Sequence, residues 1–161
     1  MKSIIVVCLL SLICIPTGVF AKFQNFDIAG YYHVIKGGSL EEIEKEIELV
    51  NNASISEKEA YEGTLLMRKA GLLKKAKDKI ATFKSGRIKL ETAIYHNTDN
   101  AEYRLLRLMI QEHAPKVTKY RMNIEEDSNF IKKHFKTLTA TLQDVVRDYS
   151  KISSVLHSSD F

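Results

Sequence analysis

From Leu40 onward the apolar positions recur every three or four residues, the period of a helix that buries one stripe and wets the rest. Over residues 40–51, Leu40, Ile43, Ile47 and Val50 share such a stripe, and five glutamates fill the other positions, which is the pattern of an outer helix. The same period predicts helices over 57–70, 72–95, 99–113, 124–135 and 140–155, with a short helical connector over 116–121. No window after Gln24 alternates apolar and polar residues as a half-buried strand would. Helix starts are marked by a short polar side chain that accepts from an exposed N–H, with a Glu three residues on that reaches back. Ser39 with Glu42, Ser56 with Glu59, Asp99 with Glu102 and Asn123 with Glu126 fit this chemistry. The chain is therefore expected to be all-α.

The first residues follow another pattern. Lys2 precedes an apolar run from Ile4 to Ile15, then Pro16, Gly18 and Val19-Phe20-Ala21. That is the anatomy of a secretory signal cut after Ala21, with an apolar run too short to span a bilayer, so a periplasmic or secreted protein is expected. Ile13 stands where lipid anchoring at Cys14 would want a small residue. Cys8 and Cys14 are the only cysteines, and their loss with the signal would leave no thiol for a disulfide, a nucleophile or a metal site. Residues 22–38, aromatic at Phe23, Phe26, Tyr31 and Tyr32 and ending in Gly37-Gly38, are expected to form an irregular arm over the core. Residues 39–161 are expected to form a single helical domain, held by burial of about two thirds of the unfolded surface.

Two stretches are alike. SEKEAYEGTLLMRKAGLL, from Ser56, and NTDNAEYRLLRLMIQEHA, from Asn97, both open on a capping residue and place Ala and Tyr (Ala60 and Tyr61, Ala101 and Tyr103) ahead of a leucine-methionine stripe. Their offset of 41 or 42 residues is the length of one helical hairpin and points to stacked hairpins. The run LETAIYHNTDNAEYRLL resembles the junction between tetratricopeptide repeats, although Thr98 or Asp99 stands near the place of the usual turn proline and the spacing exceeds about 34 residues. AYEGTLLMRKAGLL, RLLRLMIQEHAPK and NIEED are, in combination with the leader, similar to small exported helical proteins of Bacteroidota. This resemblance implies a tetratricopeptide-like α-solenoid fragment of stacked antiparallel hairpins and brings no activity with it.

Arg104, Arg107 and Gln111 fall on one stripe of 99–113, whose other faces are covered by Leu105, Leu106, Leu108, Met109 and Ile110. Guanidinium groups on a nearly buried helix need partners, because an unpaired buried charge is costly and a bidentate carboxylate offsets much of that cost. Glu125, Glu126 and Asp127 at the start of a following helix are candidates, as is Glu62. In one reading Arg104 and Arg107 clamp neighbouring hairpins through Glu126 or Glu62 while Gln111 satisfies backbone carbonyls near Pro115. In the other the arginines line a concave groove and hold a peptide carboxylate.

Charge changes the picture along the chain. Residues 41–62 hold eight carboxylates against Lys45 and Lys58, whereas 68–89 hold nine basic residues against Asp78. The net charge of +4 is too small to demand a nucleic-acid partner. The basic block is expected to be a solvated helix face, with peripheral contact to an anionic surface as its alternative. No G-x-S-x-G, H-E-x-x-H, P-loop or dinucleotide fingerprint occurs, and no two of the five histidines lie three or four residues apart. Glu125-Glu126-Asp127 lacks the alternating oxygen ligands of a calcium loop. No catalytic, metal or cofactor site is expected. Two function classes follow: a non-catalytic exported scaffold for a protein or peptide, or a small enzyme or ligand carrier with a polar pocket between helices. The stripe Leu142, Val145, Val146, Tyr149, Ile152 and Val155 either caps the core or forms a dimer.

Overall fold

The computed structural model describes residues 26–161, so the expected signal over 1–21, both cysteines and Phe23 lie outside the described residues. Seven α-helices make up the described chain: α1 (Ile28–Gly37), α2 (Leu40–Asn52), α3 (Lys58–Leu72), α4 (Ala76–His96), α5 (Ala101–His113), α6 (Ile124–His134) and α7 (Ala140–Tyr149). Single 3-10 turns at Lys116–Thr118, Phe135–Thr137 and Ser158–Asp160 join or end them, and no strand occurs among the described residues. None of these helices is long and apolar enough to cross a membrane.

The arm expected to be irregular over 22–38 is helical where described. Asp27 accepts from the Gly30 N–H at 3.0 Å and starts α1, which buries Tyr31, Tyr32 and Ile35. Tyr31 stacks on Tyr61 of α3 at 4.3 Å between ring centroids, and its hydroxyl donates to the Tyr61 carbonyl. Burial and aromatic packing thus order a segment whose Gly-Tyr-Tyr-His run has little helical signature of its own. Lys36 of α1 pairs with Asp148 of α7, tying the start of the described chain to its last helix.

Cap chemistry is partly as expected. Ser39 and Glu42 form the full capping box of α2. Helix α3 begins without a side-chain cap, and Asn100, one residue beyond Asp99, caps α5 by accepting from the Tyr103 N–H at 3.1 Å. Asn123 precedes α6 without accepting from its backbone, and its amide donates instead to Glu126 Oε2 at 3.1 Å. The last helix stops at Tyr149, well before 155. Beyond it Glu112 of α5 accepts from the hydroxyls of Tyr149, Ser153 and Ser154 and from the Ser154 N–H, at 2.6 to 2.7 Å, which turns 150–156 back onto the core. Serines that find a carboxylate have an alternative to helix continuation. Leu142, Val146 and Tyr149 are buried in the core, whereas Ile152 lies past the helix and is exposed, so no continuous outward stripe remains for a dimer.

Helices α3 and α4 form the most extensively packed pair, an antiparallel hairpin around 73–75. Gly63 and Gly86 set their closeness: a Cβ on Gly86 would lie 2.5 Å from the Gly63 carbonyl oxygen, and one on Gly63 would lie 2.7 Å from that of Gly86. Helix α2 runs back along α3, with Glu44 paired to Lys69 at 2.8 Å. The core lies under α3 and α5, where Leu65, Leu90, Leu105, Leu106, Leu108 and Ile131 are fully buried.

Candidate functional site

Helices α5 and α6 run antiparallel, so Arg104 meets Phe130, Arg107 meets Asp127 and Gln111 meets Asn123 in turn. The Arg107 fork is bidentate on Asp127: Nε to Oδ2 at 2.7 Å and Nη2 to Oδ1 at 2.6 Å. Its third nitrogen reaches Glu91 of α4 at 3.1 Å. The Asp127 side chain is 0 % exposed and that of Arg107 6 % exposed, so the pair is desolvated. Burial alone would weaken the protonated guanidinium; the hydrogen bonds and charge of Asp127 and Glu91 outweigh it and raise its pKa. Arg104 donates to Glu126 at 2.6 Å, to Asp127 at 3.1 Å and to the Thr98 carbonyl, with its head over the Phe130 ring. The Arg104 and Asn123 hydrogen bonds hold the Glu126 carboxyl below its ordinary range.

Three expectations for this cluster need correction. The main acid is Asp127, with Glu91 from the preceding helix, while Glu125 is exposed. Glu62 pairs with Lys89 of α4 at 3.2 Å and takes no part in the clamp. Gln111 donates to Asn123 Oδ1 at 3.4 Å in place of carbonyls near Pro115, and its own Oε1 is buried without a partner. Their donors are aimed at these acids, and neither arginine is among the residues lining the groove between α3, α4 and α5. The cluster is a tie among α4, α5 and α6.

A groove lies beside it, between the end of α3, the start of α4, the end of α5 and residues 115–118, with a volume of about 630 Å³. That size suits a small ligand or a few side chains of a peptide. Met67, Ala70, Met109, Ile110 and Ala114 are buried beneath it, and Ile80 and Val117 stand exposed at its edges. Every charged side chain on its lining is basic: Arg68, Lys79, Lys84 and Arg87, with His113 at the α5 end. Arg68 Nε is buried without a hydrogen-bond partner. Arg87 lies over the Tyr120 ring at 4.9 Å, Phe83 packs edge-on against it, and the Tyr120 hydroxyl donates to Glu91. One wall of the groove is thus built on the arginine tie through Tyr120 and Glu91.

A third polar cluster lies inside the fold. Glu102 accepts from Tyr61 at 2.5 Å and Tyr32 at 3.1 Å, and burial raises its pKa against the lowering effect of those bonds. Neither Glu102 nor these tyrosines lines the groove. His33, His96, His113 and His157 are exposed, and His134 stacks on Phe130. Among the described residues, no three or more His, Cys, Asp or Glu side chains gather as metal ligands would.

Comparison with protein-family models, curated proteins and solved structures yields no match.

The basic block was visible in the sequence, but its apolar complement was not. Met67 falls in the leucine-methionine stripe of its helix, and only the tertiary approach of α5 sets Met109 and Ile110 on the same groove as Arg68 and Arg87. The alternation of basic residues with Ile80 and Phe83 along α4 was the one available signal.

Proposed function

We propose that this protein is a non-catalytic exported helical scaffold whose hairpins stack in the tetratricopeptide manner and whose groove between α3, α4 and α5 receives a segment of a protein or peptide. The observation that carries this reading is the groove itself: an apolar floor of about 630 Å³ rimmed by cations and by no carboxylate. Scaffolds of paired helices characteristically bind through such concave surfaces. Arg104, Arg107, Gln111 and Glu126, with Asp127 and Glu91, serve the reading as the tie that holds one wall in place.

The test is site-specific photo-crosslinking in the cell of origin. A photoreactive residue replacing Ile80 at the groove edge should give a discrete protein-sized adduct, and one replacing exposed Lys133 on α6 should not. Gly71→Trp should abolish the Ile80 adduct, because Gly71 lines the groove and a Cβ built there meets no neighbouring atom within 4 Å, which leaves the indole free to fill it. Absence of a groove-specific adduct refutes the reading. An adduct of small-molecule mass at Ile80 would favour a ligand carrier instead.

A further inference from the structure

We infer that the occupant of the groove is an acidic amphipathic segment of a partner protein, which sets carboxylates against Arg68, Lys84 and Arg87 and apolar side chains on the methionine floor. This rests on the groove being the binding surface and names the chemistry of what it binds.

The basic residues of this region differ in their partners, and Lys74, Lys75 and Lys77 neither enter an ion pair among the described residues nor line the groove. Lys69 and Lys89, beside Arg68 and Lys84 in the hairpin, are answered within the fold by Glu44 and Glu62. Among the described residues, Arg68, Lys84 and Arg87 enter no ion pair. These three line the groove, as does Lys79, which also enters no ion pair and donates to the Gly71 carbonyl at 3.5 Å. Arg68 lines the groove with its Nε closed to water and without an acceptor, a cost that a carboxylate removes once the guanidinium turns into the groove to meet it. Arg87 is held in place by the Tyr120 ring, so less ordering is lost when an anion binds it.

Charge alone would admit any anion. The apolar surface beside it narrows the choice, because Ile80 is 71 % exposed and Val117 is 87 % exposed at the groove edges, and an inorganic anion would cover neither. A helix with leucine-type side chains at i, i+3, i+4 and i+7 and acids on its flanks meets both demands. Met67 and Met109 can adjust to the shape of such side chains.

The inference is tested with the purified protein and two fluorescein-labelled amphipathic peptides of identical leucine spacing, one carrying glutamates and the other glutamines at the flanking positions. The acidic peptide should bind about tenfold tighter than the neutral one and weaken as salt rises. Arg68→Gln with Arg87→Gln should remove that preference, and Gly71→Trp should reduce both affinities, with circular dichroism confirming that each variant is folded. Equal affinities, unaffected by salt and both blocked by Gly71→Trp, would overturn the acidic occupant while leaving the scaffold reading in place. Peptide binding indifferent to Gly71→Trp would overturn both. Vesicles of anionic phospholipid that bind in competition with the acidic peptide, and more tightly than it, would overturn the partner in favour of a lipid surface.

Discussion

Arg107 illustrates how one side chain fixes the relation of three helices. Its bidentate bond to a fully buried Asp127 means that Arg107→Ala leaves that acid with the single Arg104 contact at 3.1 Å in place of a fork, a loss of about 3 kcal/mol. In a chain of this size that lowers the melting temperature by on the order of 10 °C, measurable by scanning calorimetry. Replacing both partners, as in Arg107→Met with Asp127→Leu, should recover part of it, since removing a buried pair altogether is often close to neutral, while Arg104 keeps Glu126 and Glu91 keeps Tyr120. Glu102 works in the opposite sense. Its pKa is raised in the fold, so the folded state binds more protons, and stability falls as pH climbs from the ordinary glutamate range through the raised value. Glu102→Gln should therefore be more stable than the parent at neutral pH, an advantage that disappears in acid and is read from urea unfolding across pH. The Arg104 to Glu126 contact was legible because helical spacing sets the arginine's face and NIEED puts acids at the next helix start. Asp127 was one of three candidate acids with nothing to set it above Glu125 and Glu126, since a shift of one residue turns a side chain by about 100 degrees, and Glu91 was not among the candidates because only packing fixes the rotation of α4.

At the level of elements, α3 and α4 depend on two glycines whose backbones nearly touch. Gly86→Val places methyl groups where the Gly63 carbonyl lies, and should destabilise by about 1–3 kcal/mol or more in chemical denaturation. Gly71, near the end of α3 with open space around it, should behave oppositely: Gly71→Ala is expected to gain about 0.5–1 kcal/mol in the same assay. The long helices were readable from their apolar period, α4 and α5 within a few residues. The ends of the chain were not. Helix α1 is made by the burial of Tyr31 and Tyr32 against α3, and α7 ends early because Glu112 captures Ser153 and Ser154. Those hydrogen bonds, led by Ser154, overcome burial and hold the Glu112 pKa down, so this anchor is present above the ordinary glutamate pKa and weakens as pH falls through the lowered value. Protection of the amides over 150–161, taken relative to their intrinsic exchange at each pH, should fall in Glu112→Gln at neutral pH and, in the parent, only on acidification.

Across the whole molecule, the basic residues are divided by their partners. Arg104 and Arg107 are satisfied internally and hold helices together, whereas Arg68, Lys84 and Arg87 enter no ion pair among the described residues and border an apolar groove. The sequence showed both sets of charges without showing which were already answered, because pairing depends on contacts between hairpins and not on spacing within one helix. The most direct test of this division is chemical-shift mapping by NMR, with the glutamate peptide titrated into isotope-labelled protein. Shifts confined to the end of α3, the start of α4, the end of α5 and residues 115–118, with the guanidinium signals of Arg104 and Arg107 unmoved, are the expected result. Shifts centred on Arg104 and Arg107, with the groove silent, would contradict the account.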